Sequence, residues 1–420
     1  LFASLLREGS WVDAVIDTAE AEKKPVRRAD LRKMNFPIGP VAVFGASNFP
    51  FAFSTAGGDT ASALAAGNPV IVKASPAHLG TNEMVGSAIL KAAKRSGMPD
   101  GVFSFVIGES ATAIQLVKHP GIKAVGFTGS YRAGMSIYKA AVNERETPIP
   151  VYAEMSSINP VLILPAKLKN SSDLLAKQLV ASITLGAGQF CTSPGLIFLI
   201  TDDYTDPFIE KIAQILSETT DAVMLNTGIT DNYYSSRKIM AAQTGVTTVY
   251  MGHDYRETYR SSPALLLTHA ADFIRNPSLQ NEIFGPAALI VQCANQAELQ
   301  SAVQSLHGQL TGTVMGDDSD LLHFSSIISI LIEKVGRIIF NGVPTGVEVS
   351  HAMVHGGPFP ATTDARTTSV GAEAIKRFIR PLCFQDCPAA LLPDELKDEN
   401  PANIMRKING HFTKNKIELA

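Results

Sequence analysis

From residue 40 onward, short apolar runs alternate along the chain with longer segments of helical periodicity. The runs are continuous rather than alternating with polar positions, which is typical of strands buried on both faces. Strands of that kind joined through helices form a parallel sheet with right-handed crossovers. The pattern therefore predicts a doubly wound α/β domain with strands at 41–44, 70–72, 102–106 and 124–127. Its predicted helices include 60–66 and 81–96, each followed by a glycine and a proline.

The same alternation resumes after residue 160. Apolar runs stand at 161–164, 196–199, 288–291, 310–314 and 337–340, again with helical patterns between them. They predict a second α/β domain, with the boundary between the two domains near residues 155–160.

Three further segments lie outside this alternation. The apolar spacing at the start of the chain indicates an amphipathic helix from Leu1 to about Glu22. Residues 25–37 are highly charged and match neither a helix nor an amphipathic strand, so they form either a solvated excursion or an arm that pairs with a partner subunit. The segment 350–420 is first rich in Gly, Pro and Thr and then charged, and we expect it to wrap back over other parts of the protein.

Composition excludes several classes of protein. The 420 residues carry a formal net charge of −3, so no basic field is available for nucleic acid or anionic lipid. No apolar run approaches the roughly 18 residues of a membrane span, and no secretory signal pattern opens the chain, so the cytoplasm is the expected compartment. Four cysteines are too few for a disulfide scaffold, and the nine histidines show no ligand spacing, so no metal is expected.

Two side chains are candidates for covalent and acid–base chemistry. Cys191 lies between a glycine-rich stretch and an apolar run, and loops held by rigid elements are where nucleophiles are usually placed. An isolated cysteine is, however, more often a buried apolar side chain. Glu154 ends a predicted strand, where open α/β sheets place their ligands, although a carboxylate taken alone is more often a surface or salt-bridged group.

Two further groups follow strand ends. Asn48 comes just after the first strand, in a sequence that lacks the second glycine of a serine hydrolase elbow, so its amide is either an oxyanion donor or a turn residue. Gly129 and Ser130 precede a helix whose free amide groups can bind phosphate. No G-x-G-x-x-G lies at a strand-to-helix turn, so an ordinary Rossmann fingerprint is absent.

These groups occur in an order that resembles the aldehyde dehydrogenase superfamily over about residues 38–380. The resemblance is carried by Asn48-Phe49-Pro50, Lys73, Phe127-Thr128-Gly129-Ser130, Glu154, Cys191 and Glu282-Ile283-Phe284-Gly285-Pro286. It implies an α/β fold with two doubly wound domains, one for a nicotinamide cofactor and one for catalysis, plus a small oligomerisation arm in a homodimer or homotetramer. In that division residues 1–24 and 38–156 bind the cofactor, 25–37 form the arm, 157–349 carry catalysis, and 350–420 pack back on the cofactor domain and the interface.

The resemblance also implies individual roles. Cys191 corresponds to the thiol that attacks the aldehyde carbon, Asn48 to the oxyanion donor, and Glu154 to the general base that releases the acid from a thioester. The cofactor-binding positions that correspond are Lys73, Ser75, Gly129, Ser130, Glu282 and Phe284. The aromatic residues Phe51, Phe53 and Phe190 either line the substrate tunnel or belong to an aromatic core.

The cofactor implied is NAD or NADP. In many NAD-using members an acidic residue that repels a 2′-phosphate stands at the place of Pro76, and its absence favours NADP or tolerance of both. Two features depart from the family pattern. Met155-Ser156-Ser157 stands where the family usually has Leu-Gly-Gly, and the chain begins with Leu1 well after the usual family start, so we expect it to lack an N-terminal portion.

Within the superfamily, residues 57–67, 340–349 and 355–358 resemble a branch that holds bacterial α-ketoglutaric semialdehyde (2,5-dioxovalerate) dehydrogenases and an NADP-dependent fatty aldehyde dehydrogenase. The expected reaction is therefore oxidation of 2,5-dioxovalerate to 2-oxoglutarate, with a fatty aldehyde as the alternative substrate. An acylating enzyme, in which coenzyme A or phosphate replaces water, is a competing hypothesis that Glu154 argues against. An inactive homologue that only binds the cofactor is a hypothesis of a different class.

Overall fold

The computed structural model describes residues 1–418, so the last two residues of the C-terminal segment lie outside the described residues. The helices are α1 Phe2–Glu8, α2 Gly58–Ala65, α3 Leu79–Arg95, α4 Ser110–Lys118, α5 Tyr131–Asn143, α6 Pro165–Thr184, α7 Thr205–Ser217, α8 Thr227–Ala241, α9 Ala270–Arg275, α10 Gln296–Gln304, α11 Asp318–His323 and α12 Ser325–Ile332. The strands are β1 Val15–Asp17, β2 Leu31–Pro37, β3 Val41–Phe44, β4 Val70–Lys73, β5 Phe103–Val106, β6 Ala124–Thr128, β7 Val151–Glu154, β8 Val161–Ile163, β9 Leu196–Ile200, β10 Ala222–Val223, β11 Val246–Met251, β12 Arg260–Ser261, β13 Ala264–His269, β14 Ala287–Cys293, β15 Gln309–Met315, β16 Val335–Phe340, β17 Ile379–Gln385, β18 Arg406–Ile408 and β19 His411–Thr413.

The first doubly wound sheet has the strand order β5-β4-β3-β6-β7, with every neighbouring pair parallel. Side chains of β3 point alternately into two apolar clusters, one on each face of the sheet, which explains the continuous apolar run in the sequence. The strand order reverses between β3 and β6. A crevice outside the carboxyl ends of the strands at such a point is where this kind of sheet binds its ligands.

The second sheet has the order β11-β13-β14-β9-β8-β15-β16. All its neighbours are parallel except the edge pair of β11 with β13. Every residue of β14 and β15 is buried, because apolar clusters cover both faces of the sheet. The prediction of two α/β units with central parallel sheets is confirmed. Strands β10 and β12 form a separate small ribbon.

The prediction of a single helix from Leu1 to Glu22 is wrong. Helix α1 ends at Glu8 because Gly9 adopts a left-handed conformation with φ of 77°. A Cβ atom at position 9 would lie 2.3 Å from the side chain of Ile404, so the chain passes too closely for any other residue. Beyond a 3₁₀ turn at Ser10–Val12 the chain forms β1, which the apolar spacing alone did not distinguish from a continuing helix.

A third sheet, of order β17-β2-β1-β18-β19, is built from the two ends of the described chain. Residues 31–37 form β2, an interior strand of this sheet that is antiparallel to both β1 and β17, so for these residues the interpretation of the segment 25–37 as a solvated excursion is wrong. Along β2 the buried positions are Arg32 and Met34, and Arg32 forms ion pairs of 2.7 Å with Asp30 and with Asp398. The charged residues of this segment thus find partners within the fold.

The segment after residue 350 crosses both large sheets. Its residues 361–363 lie beside β7, where Met155 N donates to Ala361 O at 2.7 Å and Thr363 N donates to Ala153 O at 3.1 Å. Further on, the buried Arg377 forms an ion pair of 2.6 Å with the buried Asp59 of α2. The segment is therefore fixed to the first sheet at two places. Among the described residues no helix is both long and apolar enough to span a membrane.

The ion pair of Asp59 with Arg377 gives a prediction about stability. Asp59→Asn leaves the Arg377 guanidinium buried without a counter-charge, which should lower the free energy of unfolding by about 3–5 kcal/mol. Urea denaturation followed by circular dichroism measures this loss. The matched control is Asp13→Asn, which breaks the exposed pair of Asp13 with Lys33 and should cost less than about 1 kcal/mol. Equal losses in both variants would contradict the prediction.

Candidate active site

The loop that carries Cys191 has a backbone shape that requires glycine. Gly186, Ala187 and Gly188 have φ values of 57°, 58° and 64°, so three successive residues are left-handed. A Cβ atom on Gly188 would lie 2.3 Å from the carbonyl carbon of Gly285. The loop therefore packs directly on the Glu282-to-Pro286 motif, which brings two distant parts of the sequence together.

Asn159 fixes this loop to the second sheet. Its side-chain amide donates to the carbonyl oxygens of Cys191 and Ser193, both at 2.9 Å. Its side-chain oxygen accepts from the hydroxyl groups of Ser157, at 2.9 Å, and Thr311, at 3.0 Å. The side chain is buried with all these partners satisfied, so it holds the backbone of Cys191 firmly. Sequence reasoning used Asn159 only to mark a domain boundary.

Cys191 lies in a buried cluster with a histidine and a carboxylate. The Cys191 sulfur is 3.4 Å from His355 Nε2, which is in turn 2.9 Å from Glu154 Oε1. The Ser369 hydroxyl donates to the other carboxylate oxygen, Oε2, at 2.5 Å. Glu154 and His355 are 3% and 1% exposed. The structure thus brings the predicted Cys191 and Glu154 together and adds two side chains, His355 and Ser369, that sequence reasoning missed.

The charges in this cluster set the protonation of its members. Burial raises the pKa of the Cys191 thiol well above its ordinary value, and the nearby charges of Glu154 and Glu282 raise it further. Burial alone would also raise the pKa of Glu154. The attraction of His355 and the hydrogen bonds from His355, Ser369 and Cys191 outweigh burial, so the net shift of that carboxyl is downward. Glu154 is therefore ionised at neutral pH while Cys191 is held as a thiol.

Asn48 also reaches the nucleophile loop. Its side-chain amide donates to the carbonyl oxygen of Gln189 at 3.0 Å, two residues before the thiol. The structure therefore places Asn48 against the loop that carries Cys191, with one amide hydrogen used to hold that loop.

Aromatic rings line the approach to the cluster. The ring centroids of Phe49 and Phe190 are 5.2 Å apart, those of Phe49 and Phe53 are 5.7 Å apart, and Phe53 is 6.0 Å from the His355 ring. Two of the three predicted tunnel residues, Phe53 and Phe190, thus lie together near the thiol. Phe51 is not brought to the cluster, since its side chain is 70% exposed.

Four of the six predicted cofactor residues, Lys73, Ser75, Gly129 and Ser130, follow the carboxyl ends of strands of the first sheet. Lys73 ends β4, and burial lowers the pKa of its amine. The Ser75 hydroxyl accepts from Ala77 N at 3.4 Å and caps a short 3₁₀ helix. Ser130 is the N-cap of α5, and Gly129 N donates to Glu154 O at 3.1 Å. The start of α5 is therefore joined by a backbone hydrogen bond to the strand that carries Glu154.

Two clefts flank the nucleophile loop. One is lined by Gly188, Phe190, Glu282 and Phe284, and burial raises the pKa of Glu282 to about 7. The other is lined by Asn48, Phe49, Gln189 and Phe190. Phe190, the residue before the thiol, lines both clefts.

The sequence from residue 9 to residue 359 matches the model of the aldehyde dehydrogenase family. The chain belongs to the aldehyde dehydrogenase family. It is accordingly an oxidoreductase that acts on aldehydes with a nicotinamide cofactor.

Two curated relatives match almost the whole chain. Alpha-ketoglutaric semialdehyde dehydrogenase 2 of Azospirillum brasilense is 49% identical, over 98% of this chain and 78% of its own length. Alpha-ketoglutaric semialdehyde dehydrogenase of Acinetobacter baylyi is 46% identical, over 99% of this chain and 79% of its own length. Among solved structures, succinic semialdehyde dehydrogenase of Streptococcus pyogenes in complex with NADP⁺ superimposes with a TM-score of 0.69 at 18% identity, covering 91% of this chain and 79% of that one. At 18% identity, this structural similarity shows a shared fold and nothing about the substrate.

The departure from Leu-Gly-Gly in this aldehyde dehydrogenase has a structural explanation. Met155 is buried against α5, where a Cβ atom on Gly134 would lie 2.7 Å from its sulfur. Ser157 points inward, and its hydroxyl accepts from Leu310 N at 3.0 Å. The Ser156 hydroxyl accepts from Tyr131 N at 3.3 Å and lowers the pKa of Glu282, partly offsetting the effect of burial on that carboxyl. The substituted side chains thus pack into the surrounding fold.

Alkylation of Cys191 should report the charge of Glu154. Iodoacetamide reacts with the thiolate. The rate of alkylation of Cys191 should therefore rise only at pH values above the range in which an ordinary cysteine thiol ionises. Glu154→Gln removes a negative charge beside the sulfur, which lowers the pKa of the thiol and should move the profile to lower pH by about one to two units. Peptide mass spectrometry measures the rate, with the exposed Cys383 as an internal control. No shift, or a shift to higher pH, would be evidence against this electrostatic coupling.

Proposed function

We propose that the protein oxidises 2,5-dioxovalerate to 2-oxoglutarate through a thioester on Cys191, with NADP preferred over NAD. The buried cluster of Cys191, His355 and Glu154 is the observation that carries the thioester mechanism, because it joins a nucleophile to a base. The substrate is taken from the two relatives that match almost the whole chain.

The first step is attack of the sulfur on the aldehyde carbon. His355 Nδ1 is buried and has no hydrogen-bond partner among the described residues, so the ring proton is favoured on Nε2. From there it donates to Glu154 and faces the Cys191 sulfur. The thiol proton leaves to solvent, and the Nε2–H stabilises the thiolate that attacks the aldehyde carbon. Asn48, with one amide hydrogen bound to Gln189 O, directs the other at the developing oxyanion.

The second step is hydrolysis of the thioester. Glu154 is ionised because His355 and Ser369 hold it, and a carboxylate within 4.8 Å of the sulfur can take a proton from water that attacks the acyl carbon. Asn159 keeps the Cys191 backbone fixed while the acyl group changes. A hydrolytic outcome is favoured over transfer to coenzyme A because the base is already in place.

The residues around the switch point fit a nicotinamide dinucleotide. The N-terminus of α5, capped by Ser130 and preceded by Gly129, offers amide groups for the pyrophosphate, and Lys73 offers a charge for the ribose side. Glu282 and Phe284 line the cleft next to the thiol and would hold the nicotinamide ribose and ring. A nicotinamide held there would supply the acceptor for the hydride that leaves the aldehyde carbon when the thioester forms. Pro76 supplies no carboxylate against a 2′-phosphate, which supports NADP.

The domain roles follow from these positions. We assign cofactor binding to residues 38–156, catalysis to 157–349, and completion of both sites to the segment after 350. The third sheet, which includes β2, is the candidate oligomerisation arm of a homodimer or homotetramer. The quaternary structure and the cytoplasmic location stay predictions from the sequence.

A substrate panel tests the proposed function. The full chain should reduce NADP with 2,5-dioxovalerate at a kcat/KM at least about tenfold above that for glutaraldehyde or a long-chain aldehyde, since the relatives act on the keto acid. Cys191→Ala should abolish all turnover, whereas Cys383→Ala should not. Preference for the long-chain aldehyde would favour the fatty aldehyde alternative, and stimulation by coenzyme A would reject hydrolysis.

Single-turnover kinetics separates the two buried partners of the thiol. Glu154→Gln should retain a burst of reduced cofactor and slow the steady state by about 10²–10⁴-fold, because only hydrolysis needs the base. His355→Asn should slow the burst itself, because the thiolate loses its hydrogen-bond donor. His323→Asn, at an exposed site, serves as the matched control. Equal loss of both phases in Glu154→Gln would reject the role assigned to the carboxylate.

A further inference from the structure

The catalytic cluster also has the composition of a metal site. A Cys191 sulfur, a His355 nitrogen and a Glu154 oxygen all lie within 4.8 Å of one another. Thiolate, imidazole and carboxylate are the three ligand types that bind Zn²⁺ in proteins, and three protein ligands with one open position are typical of exchangeable zinc sites. The ligands come from separate segments, 164 and 201 positions apart, so no spacing in the sequence reveals them.

Two of the three ligand distances in the cluster are close to those of tetrahedral zinc. An ion with a Zn–S bond of about 2.3 Å and a Zn–N bond of about 2.0 Å holds sulfur and nitrogen about 3.5 Å apart. The Cys191 sulfur and His355 Nε2 are already 3.4 Å apart. The nitrogen and Glu154 Oε1 are 2.9 Å apart and need about 3.3 Å in the same geometry. The sulfur and the carboxylate oxygen lie within 4.8 Å of each other and need about 3.5 Å, so this pair must close by side-chain rotation when the ion is seated.

We propose that Cys191, His355 and Glu154 form a Zn²⁺ site in the cofactor-free protein, and that its occupation reversibly inhibits the dehydrogenase. The inference rests on the proposed function only where it takes Cys191 as the nucleophile. Binding exchanges the thiol proton for the metal: the proton leaves to solvent, and the thiolate and carboxylate together neutralise the two charges of the ion. The fourth ligand position is left to water.

Electrostatics favours this exchange. Without a cation, the thiolate is disfavoured by burial and by the charge of Glu154. A divalent cation between the two groups turns that repulsion into attraction. Ser369 holds the far carboxylate oxygen at 2.5 Å, which orients Oε1 toward the ion. His355 must move its proton to Nδ1, which is buried and has no partner among the described residues. That cost makes the site exchangeable rather than permanent.

Cobalt provides a probe that needs no turnover. Titration of Co²⁺ into the metal-free, cofactor-free full chain should give a thiolate-to-cobalt absorption band at one equivalent, which Zn²⁺ should displace. The Cys383→Ala/Cys387→Ala double variant should retain the band, and Cys191→Ala should lose it. His355→Asn and Glu154→Gln should each weaken cobalt binding by at least about tenfold. Circular dichroism confirms that each variant is folded.

An inhibition assay completes the test. Zn²⁺ should block NADP reduction in wild type, a chelator should restore it, and bound NADP should slow the onset. A band that survives in Cys191→Ala, no band in wild type, or full activity with the site occupied would overturn the proposal. If no aldehyde is oxidised at all, the proposed function fails, while the cobalt band still reports whether the site exists.

Discussion

Glu154 carries a negative charge into a region from which water is excluded, and an isolated charge there costs several kcal/mol. The compensation does not come from its own sheet. It comes from His355 and Ser369, which the C-terminal segment places on either side of the carboxylate. Backbone hydrogen bonds beside β7 and the ion pair of Arg377 with Asp59 hold that segment in position. The active site is therefore incomplete until this last part of the chain docks on the first sheet.

The same charge determines how the thiol behaves. Since Glu154 and burial together keep Cys191 protonated in the resting protein, the sulfur is protected from unwanted reaction until its surroundings change. Anything that neutralises the carboxylate or adds positive charge between the two groups stabilises the thiolate. The proposed thiol chemistry and the proposed metal binding thus use the same three side chains, Cys191, His355 and Glu154. Both depend on the position of the Glu154 charge.

The fold was largely predictable because its signals are local. Continuous apolar runs predicted the strands of the first large sheet and five of the seven strands of the second to within a few residues, whereas β11 and β13 were not predicted. Residues 31–37 could not be assigned in the same way, since β2 is stabilised by β1 and by β17, which lies some 350 positions later. The helix predicted from Leu1 was wrong beyond Glu8, because the close approach of Gly9 to Ile404 is a tertiary contact.

In the active site, too, residues with a local sequence signal were predicted, and residues that depend on tertiary contacts were not. The structure brings Cys191 and Glu154 into one cluster and sets Asn48 against the loop that carries the thiol, while their roles stay predictions. His355 stood in the sequence only as part of the 355–358 branch motif, and nothing near Ser369 marked it. Their roles beside Glu154 appear only when the C-terminal segment crosses β7. In the sequence, Asn159 marked only the boundary between the two domains. Its side chain forms four hydrogen bonds to three segments that come together only in the folded structure. Phe51 was expected in the substrate tunnel or in an aromatic core, and its 70% exposure could not be predicted from the local sequence.

Trapping the acyl group tests most directly whether Cys191 is the nucleophile and Glu154 the base. The Glu154→Gln protein is incubated with 2,5-dioxovalerate and NADP, quenched in acid and analysed by peptide mass spectrometry. The Cys191 peptide should carry the mass of one 2-oxoglutaryl thioester, which wild type should show only in trace amounts. An unmodified Cys191 alongside continued product formation, or the acyl group on another residue, would contradict the mechanism.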